Sequence, residues 1–132
     1  VGSNDLTQYL LAVDRNNPRV SSLYDALHPA LLGALLELAT DATRLNKPIS
    51  LCGELAGDPA GALLLMAMGF TSLSMNAPIL PKVRAAIRRV PFTDARQLLQ
   101  EVMELDTPAQ VHAHLDQRLD EWQLSHLMPP RD

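Results

Sequence analysis

Four residues of this chain have the types and spacing to act on a small phosphorylated acid. Cys52 is the only cysteine, set in Ile49-Ser50-Leu51-Cys52-Gly53-Glu54. A short, mostly apolar, strand-like run leads into it and a polar, glycine-containing turn follows. In an α/β architecture that pattern marks the C-terminal tip of a buried strand, where ligands and chemistry collect. A thiol at that place can serve as proton donor or nucleophile. A second strand tip is suggested by Gly2-Ser3-Asn4-Asp5, with Arg15 ten residues beyond Asp5. The Asp5 carboxylate suits a hard cation such as Mg²⁺. The Asn4 amide and exposed backbone N–H groups suit an anion, and the Arg15 guanidinium can clamp phosphate or carboxylate through two bonds. Each residue also has a plainer reading. Cys52 fits a small buried hydrophobe, Asn4-Asp5 a helix-capping turn, and Arg15 a loop residue paired with Asp14. Spacing alone does not choose between them.

These groups act together only if the chain brings the two strand tips side by side. Leu6 to Val13 reads as a short helix, Asp14 to Pro18 as a polar loop, and Ser21 to His28 as irregular. Pro29 fits a first helical position, where its missing N–H costs nothing. The helix it opens runs to about Asn46, with Leu31, Leu35, Leu38, Ala42 and Leu45 on one stripe, and Lys47-Pro48 ends it. A strand over Ile49 to Cys52 follows. Asp58-Pro59 starts a helix to Met68 that is apolar nearly all round and so belongs in a core, with Gly69 as its left-handed terminator. Phe70 to Met75 reads as another strand. Pro81 to about Val90 reads as a helix whose Arg84, Arg88 and Arg89 form a solvated face. This alternation signals βαβ units and a parallel sheet. The rest is helical. Asp94 to Leu105 is one helix, and Thr107-Pro108-Ala109-Gln110 is a capping box opening another with Val111, Leu115, Leu119 and Trp122 on one face. His112, His114 and His126 read as surface residues with no metal implied, and Met128 to Asp132 as a frayed tail.

Composition sets limits on function. The chain has 132 residues, 47% hydrophobic and 20% charged, which is one soluble domain's worth of sequence. Its net charge is −4 and its 11 basic residues form no long run, which speaks against nucleic acid or an anionic membrane surface as principal partner. One cysteine leaves no internal disulfide and no cysteine–histidine zinc cluster, which fits a reducing, cytoplasmic setting. No apolar stretch is long enough to insert across a membrane. The chain opens at Val1 on what reads as the last residues of a strand, so we expect a piece of a longer protein.

Several ordered segments resemble one family. Gly2-Ser3-Asn4-Asp5-Leu6-Thr7-Gln8-Tyr9, Ala12-Val13-Asp14-Arg15, Leu27-His28-Pro29 and Cys52-Gly53-Glu54-Leu55-Ala56-Gly57-Asp58 resemble the C-terminal end of enzyme I. Enzyme I is the phosphoenolpyruvate–protein phosphotransferase of the bacterial sugar or nitrogen-related phosphotransferase system, and these segments do not separate its two branches. The resemblance extends over at least Val1 to Val90. Pyruvate phosphate dikinase and phosphoenolpyruvate synthase share the Asn-Asp-Leu-Thr-Gln and Cys-Gly elements; Ala-Val-Asp-Arg and Leu-His-Pro point to the enzyme I branch.

The resemblance implies an α/β fold, the C-terminal part of a (β/α)₈ barrel from the end of strand 6 through helix 8. Residues 1–92 would be barrel, 93–127 a helical extension packed on it, and 128–132 a tail. By motif, Asn4 would contact the substrate phosphate, Asp5 would bind substrate-linked Mg²⁺, Arg15 would bind phosphate, and Cys52 would protonate the enolate carbon to release pyruvate. Such a thiol suits the task, since an ordinary thiol titrates near about 8.5 and is mostly protonated at neutral pH. Ser3 stands where relatives usually carry Thr, which preserves the hydroxyl. The implied partners are phosphoenolpyruvate, an HPr-like phosphocarrier and a second copy in a homodimer. A barrel takes about 250 residues, so this chain would hold roughly its last third to half. The phosphorylated histidine, a second magnesium ligand and further arginines would lie outside it. The chain alone is then expected to be inactive, with an open sheet edge inclined to self-association. Two other readings are a non-catalytic dimerisation or regulatory module and the end of a dikinase- or synthase-type enzyme.

Overall fold

The computed structural model describes residues 1–128. Helix α1 (Ser3–Leu11) is followed by a loop, helix α2 (Pro29–Arg44), strand β1 (Ser50–Cys52), the short helix α3 (Glu54–Gly57) and helix α4 (Pro59–Met68). Strand β2 (Ser72–Ser74), α5 (Leu80–Arg89), α6 (Phe92–Met103) and α7 (Pro108–Glu121) complete the order. β1 and β2 pair in parallel, with Ser50 opposite Ser72 and Cys52 opposite Ser74. Gly2 bridges Cys52, also in parallel. The Val1 amino group donates to the Ser50 carbonyl at 2.8 Å and the Cys52 N–H to the Val1 carbonyl at 2.9 Å. Thr71 N–H meets the Ile49 carbonyl at 2.9 Å on the opposite edge. β1 is therefore the middle member, and the α/β alternation expected from the sequence is present.

Helix boundaries differ from the expected ones for physical reasons. α1 starts at Ser3, not Leu6, so Ser3, Asn4 and Asp5 form its first turn, where Asp5 complements the helix dipole. It ends at Leu11 because Ala12 turns left-handed at φ 54° and the Val13 N–H closes back on the Gln8 carbonyl. α2 ends in the same way at Asn46 (φ 52°), and α7 at Gln123 (φ 58°). α4 uses Gly69 (φ 106°), as expected. α5 stops at Arg89 because Val90 precedes Pro91 and is driven to extended geometry. α6 begins directly after that proline, two residues before the expected Asp94. The tail expected at 128–132 lies outside the described residues except for Met128, which packs half-buried against the core.

The core is built around α4. Nine of its ten residues are buried, with only Met66 partly exposed. Asp58 Oδ1 accepts from the N–H groups of Ala60 (2.8 Å) and Gly61 (3.2 Å) at its start. α5 and α6 pack directly on α4, and α7 packs on α6. One apolar cluster joins Leu31, Leu32 and Leu35 of α2 to Leu51, to Leu63–Leu65, and to Val111, Leu115 and Leu119 of α7. The α2 stripe departs from expectation. Leu31, Leu32, Leu35 and Ala39 are buried, whereas Leu38 and Leu45 are 42% and 59% exposed. The buried stripe runs at four-residue steps through Leu31, Leu35 and Ala39, which turns Leu38 and Leu45 toward solvent.

α6 and α7 are also joined by polar groups. Glu101 Oε2 lies 2.7 Å from His114 Nε2 and 3.4 Å from Arg118 Nε. Arg118 also pairs with Glu121 at 2.8 Å and stacks 4.9 Å over the Trp122 ring. Burial pushes the Glu101 carboxyl up, but hydrogen bonds from His114 and Gln97 and the Arg118 charge outweigh it and hold the group below its ordinary 4.5. The surface reading of His114 is thus corrected: it is half-buried between two helices, where the only signal would have been a partner 13 residues away. The solvated arginine face of α5 is as expected, with Arg84, Arg88 and Arg89 exposed.

Two predictions follow from the packing and the charges. Leu115→Ala removes a fully buried side chain and should cost about 2–5 kcal/mol, whereas Leu38→Ala should stay within about 0.5 kcal/mol; urea titration of both variants reads the contrast. Glu101 is more acidic folded than unfolded, so its stabilisation is complete above about pH 4.5 and is lost as pH falls through the lower folded value. The urea midpoint should drop in that acid window, and Glu101→Gln should flatten the drop.

Candidate functional site

The site is assembled where the start of α1 crosses the end of β1. Gly53 makes the crossing possible. It adopts φ 136°, ψ −177°, a region essentially closed to other residues. A Cβ there would run into Ser3 Oγ and come within 2.9 Å of Asn4 Oδ1. Ser3, 1% exposed, donates from Oγ to the Cys52 carbonyl at 3.2 Å, and Thr7, fully buried, donates to the Ser3 carbonyl at 2.6 Å. Asn4 Oδ1 accepts the Glu54 N–H at 3.0 Å. The hydroxyl at position 3 thus has a definite task, which is to hold the strand end that bears the thiol.

A cleft of about 880 Å³ opens beside this crossing, and both Asn4 and Cys52 line it. The Cys52 thiol is exposed and directed at the Val1 carbonyl, 3.6 Å away, so the reading of Cys52 as a buried hydrophobe is excluded. Gly53, Glu54, Ser74 and Asn76 from the strand ends also face the cleft, as do Tyr24 and Asp25 from the loop before α2. Tyr24 sits among the other site residues. Its hydroxyl reaches the Asn4 carbonyl at 3.5 Å, the long end of hydrogen-bond range. Burial pushes the phenol above its ordinary 10, opposed by hydrogen bonding with Thr7, reinforced by the Glu54 carboxylate and opposed again by Arg15.

Arg15 and Asp5 do not line the cleft. Arg15 is exposed and adjoins the cleft only through Tyr24. Its expected alternative, pairing with Asp14, is not what forms: Asp14 Oδ1 accepts the Asn16 N–H at 2.8 Å, while the Arg15 N–H donates to Gln8 Oε1 at 3.2 Å. Asp5 is exposed on the first turn of α1. Among the described residues no three His, Cys, Asp or Glu side chains gather to hold a metal ion. Mg²⁺ demands six oxygens in near-octahedral array, and one carboxylate does not by itself fit that ion. The cleft wall is acidic instead, with Asp25, Glu54 and Asp58 on it and no lysine or arginine.

His112 also lines the cleft, 87 residues from its partner Asp25, with Nε2 2.8 Å from Asp25 Oδ2. The expected surface placement of His112 is therefore corrected; it is half-buried and faces the cleft, while His126 is exposed as expected. Tyr24, Asp25 and His112 escaped sequence reasoning because their significance is a contact between segments, which periodicity does not encode. Glu54 and Gly53 were visible as part of the Cys52 turn.

A family model described as "PEP-utilising enzyme, PEP-binding domain" matches residues 1–92. Among curated proteins, the chain is 46% identical over 111 residues to "Phosphoenolpyruvate-dependent phosphotransferase system" of Salmonella typhimurium, covering 84% of this chain and 15% of that protein. It is 40% identical over 126 residues to "Phosphoenolpyruvate-protein phosphotransferase" of Haemophilus influenzae, covering 96% and 21%. It is also 40% identical over 115 residues to "Multiphosphoryl transfer protein 1" of Escherichia coli, covering 87% and 14%. The chain thus spans about a fifth or less of the length of these relatives. Gly53→Ala should remove the α1–β1 crossing and lower stability by about 3 kcal/mol, the combined scale of closed backbone geometry and steric conflict; thermal unfolding of the variant measures it.

Proposed function

The chain belongs to the PEP-utilising enzyme family, within its PEP-binding domain, and from that premise we propose that it forms one wall of the phosphoenolpyruvate site of a phosphoenolpyruvate–protein phosphotransferase. The observation that carries this reading is the convergence of Asn4 and Cys52 on one cleft across the Gly53 crossing. In the reaction, a histidine elsewhere in the parent protein takes the phosphoryl group. The P–O bond of phosphoenolpyruvate breaks, an N–P bond forms, and an enolate remains. The Cys52 S–H gives its proton to the enolate carbon, pyruvate leaves, and the thiolate regains a proton from water. The phosphohistidine then passes its group to an HPr-like carrier.

Asn4 contacts the phosphate beside the N-terminus of α1, whose dipole favours an anion. Arg15 approaches that phosphate from the Tyr24 side. Asp5, which stands off the cleft wall in this chain, would supply one carboxylate to a magnesium ion in the complete protein, and the ion would offset negative charge on the phosphate. The surrounding architecture is the C-terminal part of a (β/α)₈ barrel, residues 1–92, with 93–127 as a helical extension. The parent is a cytoplasmic homodimer. Among the described residues no helix is long and apolar enough to cross a membrane. The names of the relatives favour this reading over a nucleotide-using dikinase or synthase, and a pure dimerisation module needs neither the exposed thiol nor the cleft.

The acidic wall makes the chain alone a poor host for a trianion. Supplied with phosphoenolpyruvate and Mg²⁺, it should release no pyruvate, and detectable release would refute the reading of an incomplete site. In the complete parent protein with an HPr-like carrier, Cys52→Ala should cut pyruvate release by at least about 100-fold, the scale of general acid catalysis. Unchanged turnover in that variant would remove Cys52 from the mechanism.

A further inference from the structure

Helix α7 lies beyond residues 1–92, the stretch matched as a PEP-binding domain, yet it places a side chain on the cleft. His112 Nε2 and Asp25 Oδ2 are 2.8 Å apart, and both residues line the cavity that Cys52 and Asn4 share. A carboxylate can only accept, so the imidazole donates from Nε2. The other Asp25 oxygen, Oδ1, accepts the Leu27 N–H at 2.8 Å. The carboxylate is thereby used from both sides: one oxygen shapes its own loop and the other ties that loop to α7. Tyr24, the residue before Asp25 in the loop, extends its hydroxyl to the Asn4 carbonyl, within hydrogen-bonding reach of Thr7 and Arg15 and in the field of the Glu54 carboxylate. A continuous path of contacts thus runs from α7 through Asp25 and Tyr24 to the first turn of α1.

We propose that His112 is a positioning residue of the phosphoenolpyruvate site, holding through Asp25 the loop by which Tyr24 frames Asn4 and Arg15. The inference rests on the function proposed above. Its two ends are anchored. α7 is fixed by Val111 and Leu115, both fully buried on either side of His112 along the helix, and α1 is fixed by the Ser3 and Asn4 bonds to the Cys52–Glu54 turn. Between them the loop has little core of its own: Tyr24, Asp25 and Ala26 are only half-buried, and Leu27 alone is buried. A charge-assisted bond is the strong kind available to fix such a loop.

The test uses the complete parent protein with His112→Phe, which keeps ring bulk and loses the donor, and His112→Gln, which keeps a donor. His112→Phe should raise the KM for phosphoenolpyruvate about fivefold with kcat within about twofold, the pattern of lost ground-state and transition-state binding together. His112→Gln should bring KM back to within about twofold of the parent. A parental KM in the Phe variant, or an equal rise in both variants, would overturn the proposal. An amide spectrum of this chain supplies a readout independent of turnover. The Asn4, Tyr24 and Glu54 resonances should shift in the Phe variant and return in the Gln variant. Unmoved resonances would refute the positioning role even in an active enzyme. If the parent shows no phosphoenolpyruvate turnover while the resonances respond as expected, the proposed function falls and the α7-to-α1 linkage stands.

Discussion

The close passage of Gly53 beside Ser3 and Asn4 is the constraint on which the site depends. The ladder from Val1 to Ser50 and Cys52 brings two chain segments together that are about fifty residues apart in sequence, and the next residue must then let a helix start within van der Waals distance of a strand end. Any side chain at position 53 would push α1 off β1. The Ser3 hydroxyl would lose the Cys52 carbonyl, and the Asn4 amide would lose the Glu54 N–H. The geometry of the thiol, the amide and the cleft between them all descend from one missing Cβ.

That arrangement needs a rigid support, and α4 provides it. A helix buried on nearly every side cannot slide without exposing apolar surface, at roughly 25 cal/mol for each Å² brought to water. β1 enters it through α3, and β2 leaves it through Gly69, so both strand ends that face the cleft are hung from the same buried cylinder. α6 and α7 extend that cylinder's core without a break, since Leu98, Leu115 and Leu119 belong to the cluster that includes Leu51 and Leu64. The C-terminal helices are therefore part of the body that positions the site.

Much of this was legible in the chain itself. The Asp58-Pro59 start, the apolar run that follows, the Gly69 stop and the Thr107 capping box all carry local chemistry that decides local structure, and each forms as read. The tip at Cys52 was legible as well, because a short, mostly apolar run ending in a glycine turn has few other uses, while of the tip expected at Gly2 to Asp5 only Gly2 pairs with a strand. What escaped the sequence falls into two kinds. Helix ends at Ala12 and Gln123 adopt left-handed geometry with side chains that do not advertise it, whereas Asn46, where α2 was expected to end, is a residue that tolerates it. Long-range polar pairs, such as His112 with Asp25 and His114 with Glu101, depend on which helix faces fold together. Asp5 was named as a ligand for a hard cation and Arg15 as a clamp for an anion, but no sequence rule says how far from a cleft a helix's first turn or a loop will place them.

The three left-handed helix ends have an evolutionary consequence. A residue with a Cβ in that conformation carries a strain of roughly 1–2 kcal/mol that glycine does not, and Ala12 carries it without even the local hydrogen bond that an asparagine side chain can offer. The fold therefore holds a latent reserve. A lineage that acquires a costly change at the cleft, such as a new charge or a larger side chain beside the thiol, can restore its folded population by replacing one of these residues with glycine, far from the chemistry and without altering a single contact in the core. Such positions let the site drift toward new ligands while the scaffold stays folded.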